Sequence, residues 1–203
     1  MIMSTIAQNL QAVDATIVAA ANAAGRSRAD VQLLAVSKTF PPEAVVEAFE
    51  AGQRAFGENY LQEALDKIQA IASVLPGAEI EWHFIGPIQS NKTRPIAANF
   101  DWVHTVGRLK IAQRLSEQRP DGMAPLNICL QVNISGEASK SGTSAAELDE
   151  LAREVAALPN AIGETATPDF VRGELPALLD ELTAEQPPAY DAADPPGCQD
   201  SPL

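Results

Sequence analysis

Five apolar runs of strand length alternate with segments of helical period, and that alternation leaves few folds open. The runs are VQLLAVS (31–37), RAFG (54–57), EIEWHFIG (79–86), DWVHTV (101–106) and NICLQVNI (127–134). Helical spacing covers 41–51, 58–73, roughly 90–99, 107–118 and 143–158, and Ser144 with Glu147 matches a capping box at the start of the last segment. Strands separated by helices need crossover connections, so a parallel sheet covered by helices is predicted. A leading amphipathic helix over 4–24 adds a further cover.

Composition excludes whole classes of partner. The 203 residues carry a formal net charge of -13, so a polyanion meets a repulsive field, and nucleic acid and anionic membrane are poor partners. No stretch approaches the roughly 18 apolar residues of a membrane span, and the N-terminus lacks the basic and continuous apolar regions of a signal peptide. Cys129 and Cys198 make no metal spacing and no disulfide framework. A reducing cytoplasm is the expected compartment.

A parallel α/β chain places its working residues at the carboxyl ends of the strands. Those ends read Ser37-Lys38-Thr39, Gly57-Glu58-Asn59-Tyr60, His83-Phe84-Ile85-Gly86, His104-Thr105 and Asn133-Ile134-Ser135, five polar stops that suggest a shared mouth. Lys38 closes a run that looks fully buried. Desolvation there would lower its pKa from about 10.4 and raise the neutral fraction, which suits attack on a carbonyl substrate or on pyridoxal phosphate. Snorkelling of the amine into solvent is the alternative.

LLAVSKT, FGENYLQEALDKI, EWHFIGPIQSNK, DWVHTV and QVNISGEASKSGT, in this order and at these intervals, resemble the YggS/PROSC family of pyridoxal phosphate homeostasis proteins over about residues 5–160. The resemblance implies a TIM-type (β/α)8 barrel of the alanine racemase N-terminal kind, here incomplete at about five βα units. It implies pyridoxal 5'-phosphate as cofactor, held as a Schiff base on Lys38, and a carrier that regulates the cofactor and hands it to apo pyridoxal phosphate enzymes without substrate turnover. A racemase-like enzyme and a truncated product with weak or no cofactor binding are the alternatives.

The resemblance also suggests ring contacts from Asn59 and Tyr60, a pocket role for His83 and a second amine at Lys140. Each has a plainer reading: Asn59 as a helix cap, His83 and His104 as satisfied core histidines, Lys140 as a solvated loop lysine. Gln89-Ser90-Asn91-Lys92 opens a helix and could hold an anion, or is ordinary N-terminal polarity. Where the family often carries a basic residue two places after the anchor lysine, this chain has Phe40.

The resemblance fails after Asn160. Residues 161–203 hold 9 acids against 1 base and 7 of the 15 prolines, and are expected to form a divergent, largely disordered tail. The family's later strands, whose turns hold the cofactor phosphate, are not matched there. An internal deletion followed by a frameshift would produce such a pattern.

Overall fold

In the computed structural model, residues 5–158 are described. The tail expected over 161–203 lies outside them.

All five predicted strands form: β1 (Leu34–Val36), β2 (Ala55–Glu58), β3 (Glu81–Phe84), β4 (Trp102–Val106) and β5 (Asn127–Leu130). They are parallel and ordered β1-β2-β3-β4-β5, each beside its neighbour in sequence. A doubly wound sheet would reverse its order at a switch point; this one runs monotonically, as successive units of a barrel do. Among the described residues β1 and β5 each pair on one side only.

The helices are α1 (Thr5–Ala23), α2 (Pro42–Glu50), α3 (Leu61–Val74), α4 (Thr93–Asn99), α5 (Leu109–Glu117) and α6 (Leu148–Ala156). Pro41 and Pro42 open α2, where a missing N–H costs nothing. The Ser144 amide and hydroxyl both donate to the Glu147 carboxylate (3.3 and 2.7 Å). The expected cap is therefore present, but it closes a 3-10 turn over Ala145–Glu147 that leads into α6.

One side of the sheet carries the core. Phe56, Trp82, Phe84, Val103, Ile128 and Leu130 pack with Val45, Ile71, Ile96, Phe100, Ile111, Leu115, Leu151 and Val155 of the helical layer. Phe84 and Phe100 meet edge to face at 5.2 Å, a geometry that adds about 0.5–1.5 kcal/mol beyond burial. The Arg119 guanidinium fixes the chain between α5 and β5. It donates to Ala97 O (2.6 Å) and Phe100 O (2.7 Å) at the end of α4, and to Ala124 O (2.9 Å).

Side chains alternate across a strand, so the residues between the core positions face the other side. There the Leu34 and Ile85 side chains converge over Gly57, where an added Cβ would stand 3.1 Å from Ile85 Cδ1 and 3.6 Å from Leu34 Cδ2. The register Val36↔Gly57↔His83↔Trp102↔Asn127 forms one layer of this face. Lys38 and Asn59 lie two residues further on, toward the carboxyl ends.

Candidate cofactor site

β1 ends in a turn. Ser37 continues the ladder through its N–H to Gly57 O (2.9 Å), and its carbonyl then accepts from Phe40 N (3.1 Å), so Lys38 and Thr39 occupy the two central positions. Thr39 has φ +66°, which marks a type II-like turn. It is the only non-glycine residue with positive φ among the described residues, and a β-branched one, for which this region is costly.

Lys38 is exposed, and Val36 before it is 47% exposed. The expectation of a lysine desolvated at the end of a fully buried strand is therefore corrected. β1 is an edge of the described sheet, and only alternate residues of its apolar run, Ala35 and Ser37, turn toward the helices. The Lys38 amine makes no ion pair among the described residues, so it is presented at the mouth with no carboxylate to neutralise it.

Beneath this turn lies a buried ionic cluster. Glu58, at the end of β2, is 0% exposed and Lys67 of α3 is 2% exposed. Lys67 Nζ donates to Glu58 Oε1 (2.6 Å), to Ser37 O (2.8 Å) and to Glu63 Oε1 (3.2 Å). Ser37 Oγ donates to Glu58 Oε1 (2.7 Å), and Thr39 N donates to Glu63 Oε1 (2.7 Å). The other Glu58 oxygen, Oε2, is buried without a partner among the described residues. Both neighbours of Lys38 are thus tied down, while Lys38 is not. Sequence reading placed Glu58 in the polar mouth and gave Lys67 no role. The missed signal was Lys67 sharing a helix face with Ala64 and Ile71, all three buried.

Asn59 and Tyr60 stand at the end of β2, beside the Lys38 turn in strand order. Tyr60 is 56% exposed. Asn59 does not cap α3, which corrects that reading: Tyr60 is the N-cap residue, and it makes no side-chain capping bond. The Asn59 side chain makes no hydrogen bond among the described residues. Its carbonyl lies so close to Gly86 that an added Cβ there would come within 2.0 Å of Asn59 O. Any side chain at Gly86 would therefore push the ends of β2 and β3 apart.

His83 is 4% exposed and sits one layer below the mouth. Its Nε2 lies 2.8 Å from Glu81 Oε1, its Nδ1 lies 2.8 Å from His104 Nε2, and its ring stacks on Trp102 at 5.6 Å with 3° between planes. A carboxylate only accepts, so His83 Nε2 carries the proton; with both rings neutral, His104 Nε2–H donates to His83 Nδ1. These contacts are those of a satisfied core histidine.

Burial, with the adjacent His83 second, holds the His104 pKa below 6.5, against an opposing pull from Glu81. A base depressed in the folded state loses stability as pH falls from its unfolded pKa through its folded one. As pH falls below about 6.5 the wild type is therefore expected to lose denaturation free energy, and His104→Gln to lose less of it. Glu81 is itself held below 4.5: burial pushes it up, but bonds from His83 and Gln32 outweigh that, so its own contribution is lost only at lower pH. Chemical denaturation across that range checks the slope.

Lys140 lies at the far end of the mouth, on the loop after β5. Two ladder bonds pin that loop, Thr143 N to Gln131 O and Asn133 N to Thr143 O, both 2.8 Å. The Lys140 amine is paired with Glu137 at 2.7 Å, and that hydrogen bond, followed by one from Ser135, holds the exposed Glu137 carboxyl below its usual range. Lys140 lines a cleft of about 940 Å³ together with Arg108, Thr105, Gln131 and Asn133; Lys38, Asn59, Tyr60 and His83 are not part of it. Gln89–Lys92 form an exposed turn leading into α4, which is only 7 residues long.

The alanine racemase N-terminal domain model matches residues 8–168. A pyridoxal phosphate homeostasis protein of Pseudomonas aeruginosa is 66% identical over 158 residues, which span 78% of this chain and 67% of that protein. The chain belongs to the pyridoxal phosphate homeostasis protein family. The Escherichia coli member is 57% identical over 157 residues, 77% of this chain and 67% of that one, so the chain spans about two thirds of these relatives' length. The structure of Synechococcus elongatus PipY with PLP bound superposes with a TM-score of 0.64 at 31% identity, covering 89% of this chain and 81% of that one. The homeostasis-family chain thus has the alanine racemase N-terminal type of fold that its motifs imply, with five parallel βα units in the described residues.

Proposed function

We propose that this chain binds pyridoxal 5'-phosphate covalently through Lys38 and serves cofactor homeostasis as a carrier without substrate turnover, with residues 1–160 as the binding portion. The observation that carries the reading is the Lys38 turn, which offers a lysine amine free of ion pairs at the mouth of a sheet whose homologous structure was solved with PLP bound. The residues present fit the aldehyde and ring end of the cofactor: an exposed amine, an unengaged Asn59 amide, the Tyr60 hydroxyl and the apolar Leu34 and Ile85 over Gly57.

The cofactor supplies an electrophilic aldehyde. Lys38 Nζ, in its neutral form, would hold that aldehyde through one C=N bond, one water being released with no change of oxidation state. Asn59 and Tyr60 orient the ring. His83, paired to Glu81 and His104, supports the layer beneath. Lys140 is a second amine on the opposite side of the mouth, already engaged by Glu137 at 2.7 Å. The apo forms of pyridoxal phosphate enzymes are the proposed acceptors. The reading places the chain in a reducing cytoplasm, where the half-buried thiol of Cys129 stays reduced; burial pushes that thiol's pKa up. Among the described residues no helix is long and apolar enough to cross a membrane.

Borohydride reduction in the presence of pyridoxal phosphate, followed by peptide mapping, tests the assignment. Label concentrated on Lys38 is the expected result; equal or greater label on Lys92 or Lys140 would remove Lys38 from its role.

A further inference from the structure

We propose that Glu63 and Lys67 of α3 are positioning residues that hold the Lys38 turn in its left-handed conformation and so aim the Lys38 amine at the mouth. This inference rests on the proposed function for the identity of the amine, but its geometric content does not.

A turn with a β-branched residue at φ +66° does not persist unaided, because the left-handed region costs an L-residue roughly 1–2 kcal/mol. Something must hold it. The Glu63 carboxylate accepts the Thr39 amide at 2.7 Å, one residue after Lys38, and the Lys67 amine donates to the Ser37 carbonyl at 2.8 Å, one residue before it. Glu63 and Lys67 are themselves joined at 3.2 Å, one helical turn apart, and Lys67 is anchored to the fully buried Glu58 at 2.6 Å. The two ends of the turn are therefore fixed to one rigid unit built from β2 and α3.

The orientation of Lys38 follows from that clamp. With Ser37 turned toward the helices and Thr39 locked by its amide, Lys38 is left on the opposite side with its side chain free to meet a ligand. If the turn relaxed to a right-handed Thr39, the Thr39 N–H would leave Glu63 and Lys38 would rotate with the backbone. The sequence carries the device as Glu63 and Lys67 at i and i+4 on a helix whose first turn lies beside the mouth.

Five chains separate this inference from its alternatives: wild type, Glu63→Ala, Glu63→Gln, Thr39→Gly and the double variant Glu63→Ala/Thr39→Gly. Glycine adopts the left-handed region without cost, so it makes the clamp unnecessary at that position. Glu63 is partly exposed and alanine favours helix, so the fold survives the change. Two readouts are taken, amide hydrogen exchange at Thr39 and the equilibrium yield of the borohydride-reducible adduct on Lys38.

Glu63→Ala is expected to speed Thr39 exchange and to lower the adduct yield at limiting pyridoxal phosphate by about tenfold, the factor that corresponds to 1.4 kcal/mol. Glu63→Gln, which keeps an acceptor, retains most of the yield. In the Thr39→Gly background the further loss on Glu63→Ala shrinks to less than about twofold, a rescue that a merely structural role for Glu63 would not give. Unchanged exchange and yield in Glu63→Ala, or an undiminished loss in the Thr39→Gly background, overturns the inference while a Lys38 adduct in the wild type leaves the proposed function standing. A wild type without a Lys38 adduct overturns the proposed function, and the assignment of Lys38 as the aimed amine falls with it, whatever the exchange data say of the turn.

Discussion

Replacing Lys67 by methionine is expected to destabilise the fold by about 3–5 kcal/mol, the cost of breaking a buried ion pair and leaving one charge behind. Glu58 is fully buried, its Oε2 already lacks a partner, and without Lys67 its Oε1 keeps only the Ser37 hydroxyl. The change also strips the Ser37 carbonyl of its second donor, although the Phe40 amide still reaches it. Methionine fills most of the volume, so cavity formation contributes little. A fall in melting temperature on the order of 10 °C follows for a chain of this size. Adding Glu58→Leu to Lys67→Met removes the stranded carboxylate and should recover much of the loss, because apolar replacements of whole buried ion pairs are often neutral. A single variant within about 1 kcal/mol of wild type would mean that water reaches Glu58.

The two levels of the fold differed in how visible they were from sequence. All five strands were legible because each apolar run ends on polar residues, and the monotonic order followed from helices placed between them. Boundaries were less legible. NICLQVNI reads as one run, but β5 ends at Leu130 and its last bond to β4 is Gln131 N to Val106 O (2.9 Å), after which the chain leaves to form the loop bridged at Val132 and Thr143. The exposure of Lys38 was hidden for a related reason: an unbroken apolar run does not show which strand is an edge, nor that Val36 and Lys38 share the face away from the helices. The Glu58–Lys67 pair was hidden because it is made in space. Glu58 ends a strand and looks like one more polar stop, and only Lys67 on the buried stripe of α3 hints that a charge must be answered inside.

The site divides in the same way. Lys38, Asn59 and Tyr60 come to neighbouring strand ends, as a parallel sheet requires of consecutive units. His83 and His104 take the structural alternative, sharing a proton-donating chain with Glu81 below the mouth. Lys140 is placed across the sheet from Lys38, so the two amines stand at separate positions along it.

The second large effect concerns the covalent anchor. On titration with pyridoxal phosphate the wild type is expected to develop the visible absorbance of an imine, and Lys38→Ala to lose essentially all of it. The loss should come without unfolding, since the Lys38 side chain is exposed and makes no bond among the described residues. Its neighbours Ser37 and Thr39 keep their clamp in this variant, so the mouth remains intact around the missing amine. Lys140→Ala should retain the band, because its amine is already engaged by Glu137 at 2.7 Å. The most direct measurement is therefore this titration performed in parallel on wild type, Lys38→Ala and Lys140→Ala, with circular dichroism confirming equal folding. The account predicts a saturable band in the first and third and none in the second; a band of wild-type amplitude in Lys38→Ala would contradict it.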